Sequence, residues 1–212
     1  MSVIDLFHPE KNISQNPTHQ NSASYYLMKN GFILRVEQAF KMNEIPLVAQ
    51  PENFKIQLFK HQLAAIYKME EREKSNKINE QINTRVGIYS DITGYGKTSA
   101  VIGLLIRDKM DWDVKTVYYS EQINIFGLNM ITTVKKTSYQ KVNCSLIIAN
   151  QSLIPQWENE FKNCNLSVGK IIRKKTIKTL NPDKYDVILV SPTMYNSLIM
   201  QFKNLAWKRF IF

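Results

Sequence analysis

The sequence predicts an α/β domain whose parallel sheet is covered on both faces, giving three layers. Two observations carry this. Short apolar runs, VGIYS (86–90), SLIIA (145–149), SVGKII (167–172) and DVILV (186–190), alternate with stretches of helical spacing, and strands lacking a polar alternation belong to parallel sheets buried on both faces. A chain of 212 residues that is 44% hydrophobic and 22% charged also has the apolar surface for one medium core.

The elements run in this order. Residues 1–50 read as an N-terminal extension, partly disordered, because KNISQNPTHQNSAS is polar, contains Pro17 and lacks apolar periodicity. Within it, GFILRVEQAF (31–40) suits a strand or short helix, and Pro46 and Pro51 punctuate a connector. The domain proper is expected over 51–212. Phe59, Leu63, Ile66 and Tyr67 fall on one face of a helix at about 57–73. The polar stretch after it, to residue 85, is expected to be exposed. VGIYS reads as a strand, DITGYGKT as a loop and SAVIGLLIRDKM as a buried helix, the opening of a βαβ unit. Residues of about 111–144, with VKTVYY and MITTV, read as a β-rich insertion. Strands at 145–149, 167–172 and 186–190 then alternate with helices at PQWENEF (155–161) and SPTMYNSLIMQF, and KRFIF closes the chain. Trp157 and Phe161, four residues apart, are expected in the core, as is Cys144.

Composition narrows the function. No apolar run has the roughly 18–20 residues of a membrane-spanning helix, and the first residues carry no secretory pattern, so an intracellular protein without a membrane partner is expected. The two cysteines and three histidines fit no zinc spacing. Lys and Arg total 28 against 18 Asp and Glu, a net charge of +10, which suits a polyanionic partner. A lysine bias from an AT-rich gene would give the same excess. Arg173, Lys174, Lys175 and Lys178 form its densest cluster, read as a solvated face or a nucleic-acid contact.

DITGYGKT (Asp91–Thr98) carries the sharpest chemistry. It meets the phosphate-loop pattern GxxxxGK[ST] at Gly96, Lys97 and Thr98, with Asp91 where the first glycine stands. Gly94 and Gly96 let the backbone curl so that successive N–H groups face phosphate oxygens. The helix after the loop adds its positive end. Lys97 would serve the β- and γ-phosphates and Thr98 would complete a Mg²⁺ shell. ATP and Mg²⁺ are the cofactors this loop calls for. The bland alternative is a tight glycine turn ahead of a helix.

DITGYGKT also resembles motif I of the Swi/Snf-like branch of superfamily 2 helicases and translocases, in its DExGxGKT form. Other stretches match in order: LFKHQLAAIYKMEERE resembles the Q-type motif, SLIIANQSLIPQWENEF motif Ia, YDVILVSPTMYNSL motif Ib, and WKRFIF the strand that leads into the Asp-Glu box of motif II. Asn150 stands where motif Ia usually has proline. The loop wording, Asn-rich composition and insertion are similar to those of large-DNA-virus members. The resemblance implies a RecA-like P-loop domain of the DEAD/DEAH-like type, here its N-terminal part, expected to be incomplete at the C-terminus because it ends just before motif II.

The resemblance also implies roles. Nucleotide binding would fall to Phe59, Gln62, Asp91, Thr93, Gly94, Tyr95, Gly96, Lys97, Thr98 and Ser99, with Gln62 reading the adenine edge and Phe59 supporting the base. Lys97 and Thr98 would be catalytic, Thr98 as the Mg²⁺ ligand. Gln151, Ser152, Ser191 and Thr193 would contact nucleic acid; helix capping by Ser152 and Ser191 is the structural alternative. The expected activity is DNA-dependent ATP hydrolysis coupled to movement on double- or single-stranded DNA, with RNA open, and with the C-terminal half of the motor supplied in cis or trans. These residues alone would then be inactive. The site of action would be nuclear, or a viral factory or virion. A nucleotide- or DNA-binding module without hydrolysis and a different P-loop phosphotransferase stand as alternatives.

Overall fold

The computed structural model describes residues 46–75, 86–125 and 131–212, with side chains left aside at 121–134. The expectations for GFILRVEQAF and for most of the polar stretch before Val86 lie outside the described residues. The described residues divide between two compact units, one holding 46–50, 58–75 and 86–104, the other 51–57, 105–125 and 131–212.

In the first unit, helix α1 spans Lys60–Lys74. Its buried residues are Gln62, Leu63, Ala64, Ile66 and Glu70; Leu63 and Ile66 of the predicted stripe are among them and Tyr67 is half-buried. Phe59 departs from that stripe. It sits at the N-cap in extended backbone and is 69% exposed. Gln62 Oε1 accepts the Phe59 N–H at 2.8 Å, so the helix start is closed by a side chain from its own first turn. Gln50 anchors the approach. Its Nε2 donates to the Leu58 carbonyl at 2.8 Å, and its Oε1 accepts the Leu58 N–H at 3.1 Å.

VGIYS corrects an expectation. Residues 86–90 form no strand, and Val86 is 69% exposed. A strand exists only where a ladder partner completes its hydrogen bonds, and the regular elements described in this unit are helices. The loop and the helix after it do form as expected. Helix α2, Lys97–Arg107, buries Ala100, Ile102, Leu104 and Leu105.

The second unit holds a five-stranded sheet of β1 (Val117–Ile125), β2 (Ile131–Ile148), β3 (Val168–Ile171), β4 (Val187–Val190) and β5 (Leu205–Ile211). β3 pairs with β4, β4 with β2 and β2 with β5, all parallel. The 111–144 insertion is β-rich as expected, but it does not stop before SLIIA. Its second strand continues into the core as one 18-residue β2. No Gly or Pro interrupts 131–148 and β-branched residues recur throughout, so nothing breaks the extended backbone. The outer half of β2 pairs antiparallel with β1 as a ribbon, Tyr118 opposite Tyr139. Lys136 lies over the Tyr119 ring at 4.7 Å and Lys141 over Trp112 at 4.8 Å.

All four residues of β4 are buried, so both faces of the sheet are covered at its centre. Cys144, Leu146, Ile171, Ile188, Val190 and Leu198 are fully enclosed and form one cluster with Trp207. Each aliphatic side chain there contributes about 1.5–3 kcal/mol. Cys144 is core, as its position predicts, and burial together with the charges of Asp186 and Asp183 pushes its thiol well above the usual range. Helix α3 spans Ile154–Phe161, α4 Lys174–Lys178 and α5 Pro192–Gln201, with a 3-10 turn at Pro182–Lys184. Phe161 is buried and stacks on a half-buried Trp157 at 6.1 Å.

Away from the strands' C-terminal ends, Asp108 forms an ionic knot with β5. Lys208 donates to Asp108 at 2.5 Å and to Asn143 at 2.8 Å, while Arg209 donates to Asp108 at 2.8 Å. Asp108 reaches both through a left-handed backbone, φ 41°, a conformation that a short polar side chain tolerates.

Candidate functional site

The loop that joins Ser90 to α2 is bent by two glycines. Gly94 has φ 91° and Gly96 φ 73°, both in the region where a Cβ is strained. Around them a half-buried Asp91 shapes the loop. Its carboxylate accepts the Ile92 N–H at 2.9 Å and the Tyr89 hydroxyl at 3.2 Å. Burial first, and then the Asp91 charge, push the Tyr89 phenol well above its ordinary value, so it stays a proton donor to Asp91.

Tyr95 N–H donates to the Ile92 carbonyl, and the first helical bond runs from Ala100 N–H to the Gly96 carbonyl. Among the described residues, the N–H groups of Thr93, Gly94, Gly96, Lys97, Thr98 and Ser99 donate to no protein acceptor. They lie at the start of an 11-residue helix, where unsatisfied donors and the helix dipole favour an anion. Thr93, Gly94 and Tyr95 are exposed and Gly96–Ser99 half-buried, so the donors are reachable. Lys97 Nζ bridges the Asp91 carbonyl at 2.6 Å and the Ile92 carbonyl at 3.1 Å, which holds a cation beside them. Among the described residues the Thr98 hydroxyl has no hydrogen bond, and an oxygen at that helix position is a donor type that Mg²⁺ accepts. The residues present thus fit both a phosphate chain and its metal.

Gln62 comes to this loop from α1. Its Nε2 donates to the carbonyls of Tyr95 and Gly96, each at 3.2 Å, while Oε1 holds the Phe59 N–H. Both amide hydrogens are therefore committed to the loop. His61 Nε2 lies 3.1 Å from the Tyr95 carbonyl. Its ring stacks on Phe59 at 5.8 Å and is tilted against Tyr95 at 5.6 Å. Phe59, His61 and Tyr95 thus form an aromatic row beside the loop. Sequence reasoning missed His61: a histidine between a lysine and a glutamine at a helix start has no pattern of its own.

The second group of expected residues lies in the other unit. Ile148 of β2 is paired with Val190 of β4, so the two strands end level and their exit loops emerge side by side. Gln151 and Ser152 are exposed in a turn. Ser152 does not cap α3, since Leu153 takes that position. Ser191 is the N-cap residue of α5 but makes no side-chain cap bond and is 2% exposed. Its hydroxyl meets that of Thr193 at 2.9 Å. Thr193 itself is exposed, so Ser191 supports and Thr193 presents.

A glycine-bent loop of open amides, a lysine bonded to its carbonyls and a helix start have the form of a phosphate loop in an α/β protein. The chain matches the SNF2-related domain over residues 23–212, and it belongs to that family: it is a Swi/Snf-like ATPase domain. Among solved structures it is similar to the SWI2/SNF2 ATPase core of Sulfolobus solfataricus in complex with dsDNA, with 16% identity and a TM-score of 0.46 over 77% of this chain and 33% of that one. It therefore spans one third of that protein's length. No curated protein matches it.

Proposed function

We infer that this chain binds ATP on the Asp91–Ser99 loop as part of a DNA-dependent motor that couples hydrolysis to movement on nucleic acid. The observation that carries the nucleotide reading is the run of undonated N–H groups from Gly96 to Ser99 beside Lys97. These amides would receive phosphate oxygens, and the Lys97 ammonium would leave its two carbonyls for the β- and γ-phosphates. The Thr98 hydroxyl would hold Mg²⁺, which neutralises charge developing on the phosphates when bound. The aromatic row of Phe59, His61 and Tyr95 offers a flat apolar rest for a base. Gln62 acts here through the loop, setting its shape from α1.

The nucleic-acid half of the reading is supported by family membership, by the net charge of +10 and by the level polar loops at Gln151–Ser152 and Ser191–Thr193. Such groups touch sugar and phosphate and carry no base readout, so weak sequence preference and steep salt dependence are expected.

The test is Lys97→Ala, with fluorescent ATP binding and with hydrolysis measured with and without duplex DNA. Affinity is expected to fall at least tenfold, and any DNA-stimulated hydrolysis with it. Unchanged nucleotide binding would overturn the loop assignment. Binding without DNA-stimulated turnover would leave a nucleotide-binding module in place of a motor.

A further inference from the structure

We propose that the basic turn after β3 is a third element of this rim and grips the phosphates of a DNA duplex, an inference that rests on the DNA reading of the two polar loops. β3, β4 and β2 lie side by side and end level, because Ile171 is paired with Val190 and Val190 with Ile148. The three exit loops therefore emerge in one row. Gln151 and Ser152 come after β2, Ser191 and Thr193 after β4, and Arg173, Lys174 and Lys175 after β3. Adjacent strands are about 4.8 Å apart, so three of them span about 10 Å. At about 3.4 Å of axial rise per phosphate on one DNA strand, that row faces roughly three phosphates.

The turn is built for a polyanion. Arg173, Lys174, Lys175 and Lys178 are all exposed, while Ile177, 4% exposed, fastens their short helix to the core. Among the described residues none of the four is ion-paired, although nearby Lys170 is held by Glu158 at 2.8 Å. Helix α5, which packs against α4, carries no acidic side chain at all. Four like charges held this close repel one another, and nothing on α4 or α5 offsets that. A row of phosphates would, and release of its counterions would drive the contact. The uncharged donors Thr193, Gln151 and Ser152 further along the row match phosphodiester oxygens, which take hydroxyl and amide donors as well as cations.

The experiment compares Lys174→Ala/Lys175→Ala with Lys109→Ala/Lys115→Ala, a pair of exposed lysines away from the rim, on a short DNA duplex across a salt series. The rim pair is expected to reduce the slope of log affinity against log salt by about 1.8, which at about 0.1 M salt is a roughly 60-fold loss. The control pair is expected to leave the slope unchanged, and fluorescent ATP binding by both variants should match the parent chain. Equal slopes for rim and control variants, with the parent binding DNA, would overturn this inference alone. A parent chain that binds no DNA would overturn the DNA reading as well. Should the double variant fold poorly, Lys175→Ala alone is expected to lower the slope by about 0.9, and no change there would also overturn it.

Discussion

The Gln62 side-chain amide fills the space where a side chain on residue 96 would stand: it donates to the Gly96 carbonyl at 3.2 Å, and a Cβ built on Gly96 would collide with its Nε2. Helix α1 and the phosphate loop are fastened together at a position that only glycine can occupy without displacing the fastener.

Gly96→Ala therefore meets two penalties where Gly94→Ala meets one. At Gly94 a Cβ finds open space, and only the left-handed φ of 91° resists it, at about 1–2 kcal/mol. At Gly96 the φ of 73° adds a similar cost, and the amide must also move and lose its bonds to the loop, about 1 kcal/mol more. Urea unfolding should rank the variants in that order. Fluorescent ATP titration should show the larger loss for Gly96→Ala. Equal effects would mean that the contact with Gln62 is energetically idle.

Gln62→Ala removes the fastener without touching the loop's own sequence. The Phe59 N–H loses its acceptor and the Tyr95 and Gly96 carbonyls lose a donor, which costs about 1–3 kcal/mol. Because the amide holds the loop, nucleotide affinity is expected to drop several-fold for ATP and GTP alike. A loss confined to ATP would return Gln62 to an adenine-reading role.

Asp108→Ala would strip two nearly buried cations of the carboxylate they share. Lys208 and Arg209 side chains are each only 7% exposed and Asp108 36%; breaking a fully buried pair costs about 3–5 kcal/mol, and the exposure of Asp108 lowers that here. Burial alone would raise the Asp108 carboxyl, but the hydrogen bonds and charges of Lys208 and Arg209 outweigh it and hold the group below the usual carboxylate range. Its contribution is therefore present above the unfolded value of about 3.9 and is lost as pH falls through the lower folded value. Stability measured against pH should show an acid limb that Asp108→Asn flattens. An unchanged limb would place the acid sensitivity elsewhere.

Trp207→Phe is expected to be mild, about 1 kcal/mol in urea unfolding. The indole is 4% exposed and packs edge-on against Phe202 at 6.0 Å, yet its N–H is buried with no partner among the described residues. Phenylalanine keeps an aromatic ring and removes an unsatisfied donor. At Trp112 the indole N–H donates to the Val142 carbonyl at 3.0 Å, so Trp112→Phe should lose that bond and leave the carbonyl short of a donor. A larger cost at Trp207 than at Trp112 would show that ring shape dominates over hydrogen bonding in this core.

Local chemistry was legible in the residues themselves. DITGYGKT specifies a glycine-bent turn ahead of a helix because the left-handed φ at Gly94 and Gly96 and the apolar run of α2 depend on neighbours within a few positions. DVILV and SLIIA announce buried parallel strands for the same reason: their apolar continuity leaves no face for water. What the residues could not announce are the pairings. VGIYS has the composition of a strand but no ladder partner among the described elements, while 131–134 runs on into 145–148 as one strand because nothing between them breaks it. The grip of Gln62 on the loop, the meeting of Asp108 with Lys208 and Arg209 a hundred residues later, and the level row formed by the ends of β3, β4 and β2 arise only once distant segments are brought together. Spacing along a chain fixes the period and the turn; which groups become neighbours across a sheet is settled by the packing that buries them.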